Sequence, residues 1–261
     1  MSLKKWVSRI ASASQRVRRR ELLRILRETG CPYILYRDNL NGVWFENIVL
    51  SFNPGRPRLV LGAHYDSVRG STGANDNAAA VSILLRMAEY YLKNDPGIPL
   101  DLVFFDLEEG HGVGSRAYLE RVRKQDIKAM INLDICGTGD LILVAQGRSS
   151  GLIFRAMLRK TIRSHPVRVV KALPHGDEAS FEKKGIPNLS VCIIPENEAE
   201  ILAGFVPAMQ KGKTPSVRPP IIETMHNGPR DSINTVKEKS MQTVLQWALA
   251  AVEALASASG K

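Results

Sequence analysis

Residues 58–66 read RLVLGAHYD, and the change of character after residue 63 decides the fold. From Leu59 to Ala63 the run is apolar; His64 and Asp66 follow at once. An apolar run too short for a helix and bounded by polar residues reads as a strand buried on both faces. The same shape recurs at 100–107 (LDLVFFDL), with Glu108 and Glu109 just beyond it. It recurs at 129–135 (AMINLDI), near whose end Asp134 falls, and at 188–194 (NLSVCII). Further strands are expected at 43–52, ended by Asn53-Pro54-Gly55, and at 141–145.

Helical spacing separates these runs. Val81, Leu84, Leu85, Ala88 and Leu92 mark a helix over 75–92, and Met241, Val244, Leu245, Ala248, Val252 and Leu255 mark a closing helix over 240–258. Shorter helices are expected at 18–28, stopped by Gly30, at 115–122 and at 152–164, with a helical turn at 178–184. Strands alternating with helices predict an α/β fold, a three-layer α/β/α sandwich around a central mixed, mostly parallel sheet. The stretch 195–223 carries Pro207, Pro215, Pro219 and Pro220 and reads as irregular, a lid or substrate loop or equally a loose surface loop.

The chain of 261 residues can bury a large core, and 44% hydrophobic with 24% charged residues excludes global disorder. The expected organisation is a basic helical segment at 1–30, packed on or appended to a single domain at 31–261. Three cysteines (Cys31, Cys136 and Cys192) without a Cys-x-x-Cys pair argue against a disulfide framework and against thiolate metal binding. No stretch is long and apolar enough to span a membrane, and the N-terminus lacks the apolar core of a secretory signal. A reducing, cytoplasmic setting is the expectation, with a removed leader left open. The net charge of +10 is concentrated in residues 1–28, which hold nine Lys/Arg against two Glu. That run reads as a solvated helix rather than a nucleic-acid face, and no aromatic residues interleave it for base stacking. No specific nucleic-acid partner is expected, and oligomeric state is not legible.

Polar residues just past the carboxyl ends of strands are where open α/β sheets keep their chemistry. His64 and Asp66, Glu108 and Glu109, and Asp134 stand there; Asp76 opens the helix after the loop GSTGAND, and His226 lies in TMHNGPRD. Singly, each has an ordinary reading as a cap, a turn or a packed histidine. Together they form a set of imidazoles and carboxylates that suits zinc, and several acids in one place need a cation to offset their repulsion.

Six segments in order, GAHYDSV, GANDNAAAV, DLEEGHGVGSRAY, NLDICG, GDEASFEKKGIP and MHNGPRDSI, make the chain resemble the di-zinc aminopeptidases related to bacterial leucyl aminopeptidases and aminopeptidase Y. The resemblance runs from about residue 60 to residue 236 and implies the zinc-exopeptidase fold. It further implies two Zn2+ ions, with Co2+ or Mn2+ as substitutes, and a peptide with a free N-terminus as substrate. Carried over by position, His64 and Asp134 bind one zinc, Glu109 and His226 the other, and Asp76 bridges them. Glu108 is then the general base, and Asp66 orients His64. A cis peptide between Asp76 and Asn77 is implied as well. Asp177, His175 and His111 are weaker candidates for substrate contact. Met225 stands where some relatives carry a tyrosine before the last histidine, so the carbonyl-polarising donor is left unassigned. A glutaminyl-peptide cyclotransferase shares these positions and is the main alternative. A carboxypeptidase, an amino-acid deacylase and a non-catalytic basic binding module are the others.

Overall fold

The computed structural model describes residues 1–225, 228 and 230–259. Eight strands form one sheet: β1 (Ile34–Leu40), β2 (Val43–Phe52), β3 (Arg58–His64), β4 (Leu100–Phe105), β5 (Ile127–Leu133), β6 (Leu141–Gln146), β7 (Val167–Val170) and β8 (Asn188–Ile194). Their spatial order is β1-β2-β4-β3-β5-β8-β6-β7. Neighbours β4/β3, β3/β5, β5/β8 and β6/β7 run parallel, whereas β1/β2, β2/β4 and β8/β6 run antiparallel. The sheet is mixed and mostly parallel, as the alternation of strand and helix requires.

Side-chain alternation splits each central strand between two cores. Leu59, Leu61 and Ala63 of β3, Leu102 and Phe104 of β4, and Ile131 and Leu133 of β5 belong to the largest apolar cluster. That cluster also takes in residues of α1 (Leu3–Ile10), α2 (Gln15–Glu28), α3 (Ala79–Tyr91), α5 (Arg155–Ile162) and α9 (Glu238–Ser259). Val60, Val103, Phe105 and Met130 point the other way, toward Tyr118 and Leu119 of α4 (Val113–Arg121) and Phe181 of α6 (Glu178–Lys183). A third cluster on that second face joins Leu141, Leu143, Cys192 and Ile194 to Leu202 and Val206 of α7 (Glu196–Gln210) and to Ile221 and Ile222 of α8 (Ile221–Met225). Helices therefore cover both faces, giving three layers.

The irregular reading of 195–223 is corrected: fifteen of those residues form α7. Ala199, Leu202 and Val206 recur at helical spacing and are buried. Pro207 sits in the last turn, where its missing N–H forfeits one ladder bond without interrupting the turns before it. Nor is the basic N-terminus only a solvated helix. Trp6, Val7 and Ile10 of α1 and Leu22, Ile25 and Leu26 of α2 are buried in the main core, and Arg18 of α2 is buried as well. The three cysteines are free and buried. Among the described residues no helix is long and apolar enough to cross a membrane.

Candidate metal centre

Strands β4, β3 and β5 lie side by side and parallel, so their carboxyl ends deliver the polar residues to one place. His64 ends β3, Glu108 and Glu109 follow β4, and Asp134 follows β5. Asp76 arrives from the loop after β3, where a wide π-turn (Ala74–Ala78) enters α3. At Asp76 (φ −112°, ψ 86°) and Asn77 (φ −137°, ψ 32°) the backbone leaves helical values, and the peptide between them is cis.

The imidazole of His64 is the centre of the cluster. Its Nε2 lies 3.1 Å from Asp76 Oδ1 and 3.6 Å from Asp134 Oδ1. Its Nδ1 lies 3.2 Å from Asp66 Oδ1. One ligand atom from each of His64, Asp76 and Asp134 falls within 4.8 Å of the others, and the same holds for His64, Glu108 and Glu109. Asp66 does more than orient the histidine. Its two oxygens also accept the backbone N–H groups of Glu108 (3.0 Å) and Glu109 (3.1 Å). A single buried carboxylate thus fixes the ring on β3 and the acidic turn after β4 together.

Charge is crowded here. Burial, reinforced by the charge of Asp134, pushes the Asp76 carboxyl up to about 7. Burial raises Glu108 to about 10, with Asp177, Asp134 and Glu109 adding to the effect. Glu109 rises to about 8 through burial and the neighbouring Asp76, and Asp177 to about 8 mainly through burial. Burial opposes the charged form of His64, but the nearby carboxylates of Asp134, Asp66 and Asp76 outweigh it and raise the imidazole well above its usual range. Asp134 Oδ1 and both carboxylate oxygens of Asp177 are buried without a hydrogen-bond partner. Unpaired buried oxygens are costly unless a cation or donor meets them. A small cavity is lined by Asp134 and Ser190 together with the apolar Ile135, Leu173, Leu202 and Ile221.

His226, assigned as a ligand by resemblance, lies outside the described residues. Asp177 is fully buried at the start of α6, and its charge acts on Glu108. His175 is largely exposed, with Nδ1 3.9 Å from Glu178 Oε1. His111 is exposed at positive φ before α4 and belongs to neither ligand grouping.

Two residues that support the cluster were not singled out in the sequence. Asp231 Oδ1 accepts the backbone N–H of Asn75 at 2.8 Å and of Asp76 at 3.4 Å, and its other oxygen accepts from the Ser71 hydroxyl. Arg18 bonds three backbone carbonyls around the same loop. Asp231 stood within the motif MHNGPRDSI. Arg18 had one legible sign: it precedes Leu22 by four residues and Ile25 by seven, which puts it on the buried stripe of its helix.

The acidic turn also depends on Gly114. A Cβ there would lie 2.3 Å from Asp106 O and 2.7 Å from Asp106 N, both backbone atoms that cannot swing away. Gly114→Ala is expected to push α4 off the end of β4 and to destabilise the protein by about 1–3 kcal/mol, measured by denaturant unfolding. An unchanged midpoint would show that the turn gives way freely.

A family model described as Peptidase family M28 matches residues 47–252. The vacuolar membrane protease of Schizosaccharomyces japonicus is 31% identical over 122 residues, 46% of this chain and 13% of that protein. An aminopeptidase of Pseudomonas aeruginosa is 32% identical over 114 residues, 41% of this chain and 21% of that protein. The matched part is thus a small fraction of either relative's length. Among solved structures, a leucine aminopeptidase precursor from Bacteroides thetaiotaomicron superposes with a TM-score of 0.71 at 18% identity, covering 97% of this chain and 96% of that one. Porphyromonas gingivalis glutaminyl cyclase superposes at 0.69 and 22% identity, covering 97% and 96%. At such identities the superpositions speak for the fold. The family match runs from β2 into α9 and takes in every residue of the cluster except Arg18, and on that match the chain belongs to peptidase family M28.

Proposed function

We propose that the chain is the catalytic unit of a zinc-dependent aminopeptidase that removes the N-terminal residue of a peptide. The observation that carries this reading is the gathering of His64, Asp76, Asp134, Glu108 and Glu109 around one point at the ends of three parallel strands. In this reading His64 and Asp134 would hold one ion, Glu109 and His226 would hold a second, and Asp76 would serve both. The donor set fits: an imidazole and carboxylates in borderline-hard surroundings, one carboxylate oxygen buried without a partner, and acids held up in pKa until a cation compensates them. When bound, the metal polarises the scissile carbonyl and lowers the pKa of the attacking water.

The chain's own groups do the rest. Asp66 accepts the Nδ1 proton of His64, which leaves the Nε2 lone pair directed at the space between Asp76 and Asp134. Glu108, its backbone anchored by Asp66, takes a proton from the attacking water and returns it to the leaving amine. The surrounding carboxylates favour the ammonium of a free N-terminus.

A second reading has support in the end-to-end superposition on a glutaminyl cyclase. One assay separates the two. Chelated protein is given zinc and offered a panel of aminoacyl chromogenic substrates together with an N-terminal glutaminyl peptide. Zinc-restored release of free amino acid is expected. Ammonia from the glutaminyl peptide without amino-acid release would replace the first reading with the second, and no turnover with any divalent metal would end both.

The electrostatics carry a further expectation for the chelated protein. The raised carboxyls of Asp76, Glu109 and Asp177 are neutral in the fold at low pH and ionise against burial as pH climbs from about 4 toward 8. His64, raised above 6.5, contributes stability below that value and loses it as pH rises through its folded pKa. Both effects have the same sign. The melting temperature of the chelated protein should fall between pH 5 and about 8, and zinc should restore more of it at pH 8 than at pH 5. A flat profile by calorimetry would contradict the crowding.

A further inference from the structure

Among the arginines of α2, Arg16, Arg20, Arg24 and Arg27 are exposed, whereas Arg18 is completely buried. Among the described residues its guanidinium meets no carboxylate directly, and its Nη2 is buried without a hydrogen-bond partner there. Nε donates to the carbonyl of Tyr65 at 2.6 Å, and Nη1 donates to the carbonyls of Thr72 (2.6 Å) and Gly73 (3.1 Å). Tyr65 lies between His64 and Asp66, and Thr72 and Gly73 lead into Asp76. The arginine therefore bridges the strand end that carries the imidazole and the loop that carries the central carboxylate. The seat is tight on both sides. Gly73 has φ +57°, and a Cβ there would stand 2.5 Å from Arg18 Nη1 and 2.8 Å from the Asp76 carbonyl.

A buried cation is costly, and packing alone does not call for one. A leucine or methionine at this position would continue the apolar stripe of Leu22 and Ile25. What offsets the cost is the surroundings: burial lowers the Arg18 pKa to about 10, while the charges of Asp66, Asp231, Asp76 and Glu109 hold it up, so the group stays protonated near neutral pH. The planar fork is the side chain suited to three carbonyls on two segments in different directions.

We propose that Arg18 is a positioning residue for the metal centre: by tying the 72–73 carbonyls to Tyr65 it holds Asp76 opposite His64, and so makes α2, which lies ahead of the family-matched region, part of the active site. This rests on the reading of the cluster as a metal centre.

Charge and position predict opposite signs. A cation near the ligands repels zinc, so if Arg18 acted by charge alone its removal would tighten zinc binding. If it acts by position, its removal loosens the loop and weakens binding, as loss of a supporting group does by roughly 10–100-fold. The experiment uses the full chain with Arg18→Met and Arg18→Lys, and Arg24→Met as an exposed control. Zinc dissociation constants come from chelator competition, and hydrogen exchange is read at the amides of residues 73–78. Arg18→Met is expected to weaken zinc at least about tenfold and to speed exchange across that loop. Arg18→Lys, which keeps the charge but not the fork, should recover only part of the affinity, and Arg24→Met should match wild type. Unchanged or tighter zinc in a folded Arg18→Met overturns the proposal. Should Arg18→Met fail to fold, wild-type affinity in Arg18→Lys overturns it equally. Wild-type protein that takes up no zinc refutes the metal-centre reading instead. Loop exchange then decides Arg18 separately, and unaltered exchange in the variants overturns it.

Discussion

Glu108→Gln is expected to keep its zinc and to lose turnover by about 10²–10⁴-fold, the range associated with removing a general base. The substitution is nearly isosteric, and the backbone N–H of Glu108, which donates to Asp66, is untouched. The fold of the acidic turn should therefore survive. What disappears is the group that can accept a proton and later release it. In the metal-free cluster burial holds Glu108 at about 10, with Asp177, Asp134 and Glu109 adding like charge. A base held so high is idle at neutral pH, so its use depends on the compensating cations, and activity and metal loading should titrate together in the wild-type chain. Elemental analysis beside a steady-state assay separates the possibilities. Retained zinc with collapsed turnover supports the base. Retained zinc with wild-type turnover would remove Glu108 from the chemistry and shift attention to Asp177, a buried carboxylate whose charge acts on Glu108.

Strand ends were the legible part of this site because apolar runs stop abruptly at them. The strands at 43–52 and 188–194 have the bounds read from sequence: β2 stops at Asn53-Pro54-Gly55, and β8, buried along its whole length, stops at Pro195. His64, Glu108, Glu109 and Asp134 followed from those ends. The exposed edge strand β1 was missed: ILYRDNL alternates weakly and five of its seven residues are exposed. Its signature lay in the turn instead. Asn41 (φ 52°) and Gly42 (φ 87°) form a two-residue hairpin loop of the kind that Asn-Gly favours. Strand β7 was too short to carry a period, and α7 was hidden by Pro207. The supporting shell was illegible for a different reason. Arg18 and Asp231 act on backbone carbonyls and N–H groups far away in sequence, and no residue pattern announces such a partner. A run of nine basic residues also disguised the one arginine that turns inward.

Asp76→Ala should cost more metal than any other single substitution in the cluster, weakening zinc by more than roughly the 100-fold expected for a supporting residue. In the proposed reading Asp76 serves both ions: it belongs to one grouping and acts by charge on the other. Its Oδ1 is 3.1 Å from His64 Nε2, it belongs with Asp134 to one grouping, and its charge is the leading electrostatic influence on Glu109 in the other. A shared carboxylate removed from two half-sites leaves each with fewer donors and no common anchor. The same change should make the chelated protein more stable, because the carboxyl held at about 7 no longer has to ionise beside Asp134. Each kcal/mol so relieved is worth roughly 2–4 °C in melting temperature for a chain of this size. Metal affinity and metal-free stability are therefore expected to move in opposite directions in one variant. Asp76→Asn provides the control, since it preserves shape while removing charge. If it also loses zinc and gains stability, charge is the cause. If Asp76→Ala instead retained both metal affinity and the wild-type melting profile, the carboxylate would be a spectator, and the bridging geometry around His64 would have to be abandoned.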